Sequence, residues 1–149
     1  MTDSPSPPIT VGWREWAALP AFGIPRIKAK VDTGARTSCL HAFSYERITE
    51  RGAPWLRFNV HPIQEDAENV VVCLAPLTDE RMVSDSGGHR ELRPVITTRV
   101  IMGETAFDAD FTLTNRDSMR FRMLLGRVAM VDRFVVDPRL SFQLSGKSS

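Results

Sequence analysis

The sequence predicts an all-β fold, a small closed β-barrel with one short helix near its C-terminal end. Three observations predict it: apolar residues fall in short runs of strand character, turn residues punctuate those runs, and only one stretch reads as helix. Ile9 to Trp13 and Arg26 to Val31 have strand character. Trp55-Leu56-Arg57-Phe58-Asn59-Val60 alternates apolar and polar residues with period two. Val70-Val71-Val72-Cys73-Leu74 is a continuous, mostly β-branched run, the pattern of a buried strand. Val95 to Met102 and Thr105 to Thr114 flank Gly103-Glu104, which predicts a hairpin. Arg51-Gly52-Ala53-Pro54 and Asp85-Ser86-Gly87-Gly88 are turn chemistry. Gly126 to Arg133 is the helix. No period of about 20 to 50 residues recurs, which argues against a solenoid.

A chain of 149 residues, 42% of them hydrophobic, fits one domain with a real core. That domain is expected over 9–144, between a disordered Ser/Pro-rich leader over 1–8 and a loose tail over 145–149. The net charge of +1 argues against a large polyanion-binding surface. No apolar run approaches the ~18 residues of a membrane span. The N-terminus lacks the basic-then-apolar order of a secretory signal. Two cysteines are too few for a disulfide framework, so reduced thiols in the cytoplasm are expected. Sixteen of the nineteen basic residues are Arg. This reflects either a GC-rich genome or a groove for an acidic peptide, since guanidinium groups pair bidentately with carboxylates. Only Arg near a reactive site would serve the second purpose.

The candidate reactive site is Asp32-Thr33-Gly34-Ala35, directly after the strand-like Ile27-Lys28-Ala29-Lys30-Val31. An acid that leaves a strand into a Thr-Gly turn is placed for general acid/base work on water. Gly34 permits a tight turn, and the Thr33 hydroxyl can hold the loop. The competing reading makes Asp32 a turn residue that caps its own loop. A matching apolar-Gly segment stands downstream in Met123-Leu124-Leu125-Gly126-Arg127.

These two segments resemble the retropepsin-like aspartic peptidases. Gly12-Trp13-Arg14-Glu15-Trp16, the run from Ile27 to Ser38, Arg93-Pro94-Val95-Ile96 and Phe111 to Arg116 narrow the likeness to one bacterial branch. That branch has long been labelled "ATP-dependent zinc protease", and the likeness covers roughly residues 9–142. The resemblance implies a retropepsin-like closed barrel and a catalytic Asp32. In it Thr33, Gly34 and Ala35 form the active loop, with Leu124, Leu125 and Gly126 passing beneath as support. One such loop per short chain implies a homodimer, because the chemistry needs two carboxyls that share a proton. Arg36 and Arg127 are substrate-binding candidates, although Arg127 also suits a structural ion pair.

A second triplet, Asp85-Ser86-Gly87, lies only 53 positions after the first, too close for a two-lobed enzyme. It reads as a flap whose Ser86, Gly87 and Gly88 touch substrate backbone, or as a plain hairpin turn. Arg81, Arg90 and Arg93 flank it. Cys39-Leu40-His41, His61, Cys73 and His89 lack zinc-ligand spacing, and no phosphate-cradling glycine loop exists for ATP. No metal and no cofactor are therefore expected. The resemblance further implies a link to an ATP-grasp glutamate ligase, with glutamate tails on a ribosomal protein as substrate. The alternatives are a non-catalytic peptide-binding or dimerisation module, and an RNA-binding adaptor. The latter lacks basic runs and any recognised motif.

Overall fold

The computed structural model describes residues 7–62, 69–84, 87–115 and 121–144. Alternation of side chains explains most of its strands. Along β3 (Ile24–Val31), Ile27, Ala29 and Val31 are buried, while Arg26, Lys28 and Lys30 turn outward. The same rule buries Leu56, Phe58 and Val60 on β6 (Ala53–Val60).

Six strands close the barrel: β3, β2 (Arg14–Leu19), β9 (Arg90–Met102), β10 (Thr105–Thr114), β4 (Ser38–His41) and β11 (Met123–Leu125). β10 pairs with β9 on one side and β4 on the other, so the ring has no free edge between them. The first half of β9 extends beyond the ring and forms a hairpin with β8 (Asp79–Ser84). A second sheet joins β5 (Ser44–Glu50), β6 and β7 (Val71–Pro76). Its inner face meets the barrel core, where Phe22 of a short helical turn (Pro20–Phe22) sits edge-on to Phe58 at 5.3 Å. The expected hairpin turns at Gly103, whose φ of +61° suits glycine.

β1 (Ile9–Val11) runs parallel to β12 (Phe134–Val136), beyond the short helix α1 (Arg127–Met130). A buried acid extends this joining of the two ends. Glu15 is wholly buried on β2, and its carboxylate accepts N–H bonds from Gly12 at 2.7 Å, Gln143 at 2.8 Å and Leu144 at 3.1 Å. Backbone donors thus replace the water that a buried carboxylate gives up. Gly12 permits the approach, because a Cβ there would lie 2.1 Å from the Leu140 carbonyl oxygen. Trp13 donates to that same oxygen, Phe142 donates to the Arg14 carbonyl, and Trp16 stacks on the Phe142 ring at 5.5 Å. The Gly-Trp-Arg-Glu-Trp motif is a clamp on residues 140–144.

Three expectations change. The strand expected over Ile9 to Trp13 breaks at Gly12, where the clamp draws the backbone away from β1. The run Val70 to Leu74 is not buried throughout: Cys73 and Ala75 face the core, whereas Val72 and Leu74 are 62% and 49% exposed. β7 ends a three-stranded sheet that packs on one face only, so the outer side chains have no cover among the described residues. The helix expected over Gly126 to Arg133 spans only Arg127–Met130, because Val131 is extended and starts the return to β12. The expected leader lies outside the described residues except Pro7 and Pro8, and the tail over 145–149 lies outside them entirely. Among the described residues no helix is long and apolar enough to cross a membrane.

Replacing Glu15 by Ala strands three N–H groups, that of Gly12 buried and those of Gln143 and Leu144 partly buried. Urea unfolding should show a loss of about 3 kcal/mol, with cost per orphaned group near 1 kcal/mol. A loss below about 0.5 kcal/mol would mean the clamp does not hold the ends.

Candidate active site

β3 delivers its last buried residue, Val31, into register with Leu125 of β11, and the chain then turns at Asp32. Asp32 is half-buried, Thr33 and Gly34 are exposed, and Ala35 is half-buried. The Gly34 N–H donates to Asp32 Oδ1 at 3.1 Å, and the Ala35 N–H donates to the Asp32 carbonyl at 3.2 Å. The first bond is the self-capping turn that Asp before Thr-Gly favours. It also fixes the direction of the carboxylate, so capping and a chemical role are compatible in one geometry.

The loop is stitched to the segment beneath it. Asp32 N–H donates to the Leu125 carbonyl at 2.9 Å, Arg127 N–H to the Ala35 carbonyl at 2.7 Å, and Val128 N–H to the Arg36 carbonyl at 3.1 Å. The Gly126 N–H donates to Ser38 Oγ at 3.0 Å, and an Arg127 guanidinium N–H donates to the Thr33 carbonyl at 3.0 Å. The first N–H groups of α1, which no helical carbonyl can satisfy, therefore find acceptors in the loop. Gly126 is required at this crossing: a Cβ would meet the Thr37 carbonyl carbon and oxygen at 2.5 Å. Leu125 is fully buried, whereas Leu124 is half-buried and lies between Lys30 and Cys39 in register. Ser38 was not singled out from sequence. Its signal is positional, a hydroxyl four residues after Gly34 at the start of β4.

Arg36 is exposed and borders a cleft of about 480 Å³ with Thr37, Arg81, Asp108, Asp110 and Arg133. Arg81 is committed to Asp79 at 3.2 Å and Asp110 at 3.4 Å. The Arg133 guanidinium lies 4.7 Å from the centre of the Phe107 ring and donates to the Ala129 carbonyl. Among the described residues no acid comes within ion-pair distance of Arg36. It is thus the cleft cation best placed to meet a ligand carboxylate. Arg127 has the backbone bond already described.

Gly87 and Gly88 are exposed at the tip of the β8–β9 hairpin, Gly88 with φ of +85°. Ser86 and Asp85 lie outside the described residues. Arg93 is buried and contacts Glu91 at 3.3 Å, while Arg90 is exposed. Of the scattered candidate ligands, Cys73 sits in the core, where burial pushes its thiol up to about 12. His41 is buried on β4. Among the described residues no group of three His, Cys, Asp or Glu side chains is placed to hold a metal ion.

Comparison with known proteins adds a lineage to this geometry. A family model described as "Retropepsin-like aspartic endopeptidase RimB" matches residues 10–145. Probable alpha-L-glutamate ligases are 45% identical in Desulfotalea psychrophila and 47% identical in Parasynechococcus marenigrum, over 90% and 91% of this chain. The match covers 29% of each of those proteins, so the chain spans under a third of the length of these relatives. The crystal structure of a Legionella pneumophila protein of unknown function (DUF785) superposes with a TM-score of 0.77 at 28% identity. That superposition covers 91% of this chain and 98% of the other.

Gly126→Ala forces a methyl group into the Thr37 peptide. Chemical denaturation should report a loss of about 3 kcal/mol, the upper range for overpacking against an immovable group. Ser38→Ala, which removes one hydrogen bond, should cost about 1 kcal/mol. Equal losses from the two would mean that the close approach is not the controlling contact.

Proposed function

Because the chain belongs to the RimB-like family of retropepsin-like aspartic endopeptidases, we propose that it hydrolyses peptide bonds through two Asp32 carboxyls, one from each copy of a homodimer. The observation that carries this reading is the Asp32 loop. Asp32 is half-buried, one carboxylate oxygen is oriented by the Gly34 N–H, four further bonds fix the loop backbone to Leu125, Arg127 and Val128, and a fifth ties Gly126 to Ser38.

Two carboxyls at hydrogen-bond distance cannot both be ionised without strong repulsion, so the pair shares one proton. The ionised member takes a proton from a bound water as its oxygen attacks the scissile carbonyl carbon. The protonated member donates a hydrogen bond to the oxygen where negative charge develops. Proton transfer to the amide nitrogen then breaks the C–N bond and restores the shared proton. The pair titrates as a unit, so neither role belongs to one subunit.

Apolar exposure supports the dimer. Val128, Val131 and Val135 are 58%, 55% and 52% exposed, and Ile9 is 39% exposed, all on or beside α1 and the β1–β12 pair. α1 follows directly from the Gly126 support and leads to the β1–β12 pair, so burying this face between two copies would bring the two loops together. The relatives' names, probable alpha-L-glutamate ligases, support a functional link to a glutamate ligase and, with it, a glutamate-bearing substrate. We place this protein in the cytoplasm, removing glutamates that an ATP-grasp ligase adds to a ribosomal protein, with Arg36 receiving a substrate carboxylate. Gly87 and Gly88 are assigned to a flap over the bound tail.

Mass spectrometry of a glutamate-tailed peptide should show loss of glutamates with the wild type, with or without a chelator, and none with Asp32→Asn. Equal cleavage by both proteins would sink the role of Asp32, and cleavage by neither would favour a binding module. Val135→Glu should leave the fold intact by circular dichroism, yet yield a monomer in analytical ultracentrifugation with activity reduced at least about a hundredfold. A fully active monomer would refute the shared site.

A further inference from the structure

The strand that leads to Asp32 carries a charge pattern that the loop chemistry does not use. Its outward positions are Arg26, Lys28 and Lys30, and Asp32 stands two residues further on. Two of the chain's three lysines are in this row. On β2, Arg14 lies opposite Lys30 and Trp16 opposite Lys28, which places a fourth cation and an indole on the same outer face.

Among the described residues these cations lack the carboxylate partners that six of the arginines have. Arg47, Arg57, Arg81, Arg93, Arg99 and Arg139 each face a carboxylate. Among the described residues Arg14, Arg26, Lys28 and Lys30 have no ion-pair partner. Three of them rest on aromatic rings instead: Arg26 lies 4.1 Å and Lys28 5.4 Å from the Trp16 centroid, and Arg14 lies 4.7 Å from that of Trp13. Same-face neighbours on a strand are about 6.6 Å apart. That is inside the screening length of about 8 Å at physiological salt, so the row repels itself until an anion neutralises it.

β3 is hydrogen-bonded along both edges, to β2 and to β11, so its backbone cannot recruit an added strand. Recognition on this face must come from side chains. We propose that the outer face of β3 is a docking track for an acidic, extended peptide, which it leads into the Asp32 loop. An extended peptide presents alternate carboxylates at the same spacing of about 6.6 Å as the cations beneath it. Contact with the Trp13, Trp16 and Phe142 rings restrains Arg14, Arg26 and Lys28 on this face. A single cationic row on a chain of net charge +1 does not offer the broad basic surface that a nucleic acid needs. Delivery to the loop rests on the reading of Asp32 as the reacting group, whereas binding to the track does not.

Binding is tested on Asp32→Asn, titrated with an oligoglutamate peptide and followed by calorimetry and tryptophan fluorescence at low and high salt. Adding Lys28→Glu and Lys30→Glu should weaken binding at least about tenfold and flatten its salt dependence, since two attractions become repulsions. The milder pair Lys28→Gln and Lys30→Gln should give an intermediate loss, with all variants matched for thermal unfolding. Unchanged affinity in both pairs would overturn the track. So would a single-stranded oligonucleotide that displaces the peptide at equal concentration, because the face would then be a general polyanion site. With Asp32 restored, the track variants should raise KM for oligoglutamate and leave a neutral peptide unaffected. Cleavage with unaltered KM would refute the track and spare the peptidase reading. Track-dependent binding without any cleavage by the wild type would do the reverse.

Discussion

Where α1 begins, two stretches of backbone come closer than any side chain would permit. The Thr37 carbonyl fills the space in which Gly126 would carry a Cβ, and this lets the Arg127 and Val128 N–H groups reach the carbonyls of Ala35 and Arg36. Helix-terminal donors and loop acceptors are each costly to leave unsatisfied away from water. Here each solves the other's problem. The position of Asp32 follows, because its own N–H is tied to Leu125 one residue before the crossing. Within the loop the Gly34 N–H orients the carboxylate, but with Thr33 and Gly34 exposed the position of the turn itself rests on that support.

Glu15 and Asp32 show how one chain gives two carboxylates opposite fates. They are close in the barrel: Glu15 of β2 pairs in register with Ala29 of β3, three residues before Asp32. Glu15 is sealed, with three backbone donors satisfying its oxygens. Asp32 is half-buried, and only Gly34 among the described residues donates to its carboxylate, which leaves lone pairs for water or a partner's acid. The saturated acid is structural and the unsaturated one is available for chemistry. Burial and donor count separate them, not residue type.

What the sequence made legible was local. Asp32-Thr33-Gly34 and Met123 to Arg127 each announce a turn or a crossing through adjacent residues, and the hairpin at Gly103 is likewise contained within its own strands. The clamp was not legible, since the meaning of Gly12 and Glu15 depends on residues 140–144, more than a hundred positions away. The continuous β-branched run identified Val70 to Leu74 as a strand and predicted burial on both faces, but could not tell that its sheet is covered on one side only. α1 came out shorter than its pattern for a similar reason: the pairing of β12 with β1, a tertiary demand, pulls Val131 out of the helix. The charge row on β3 was visible letter by letter, yet its lack of carboxylate partners needed three dimensions.

The parallel pairing of β1 with β12 also sets an order of events during synthesis. Residues 9–11 leave the ribosome first among the strands, but their partner comprises residues 134–136, and the Glu15 clamp waits for residues up to 144. At about 5 to 20 residues per second, the N-terminal strands remain unclosed for many seconds. Contacts of such sequence separation fold slowly, and their edges stay open to other chains in the interval. A nascent copy therefore runs its longest risk of mispairing at the very segment that later seals the domain.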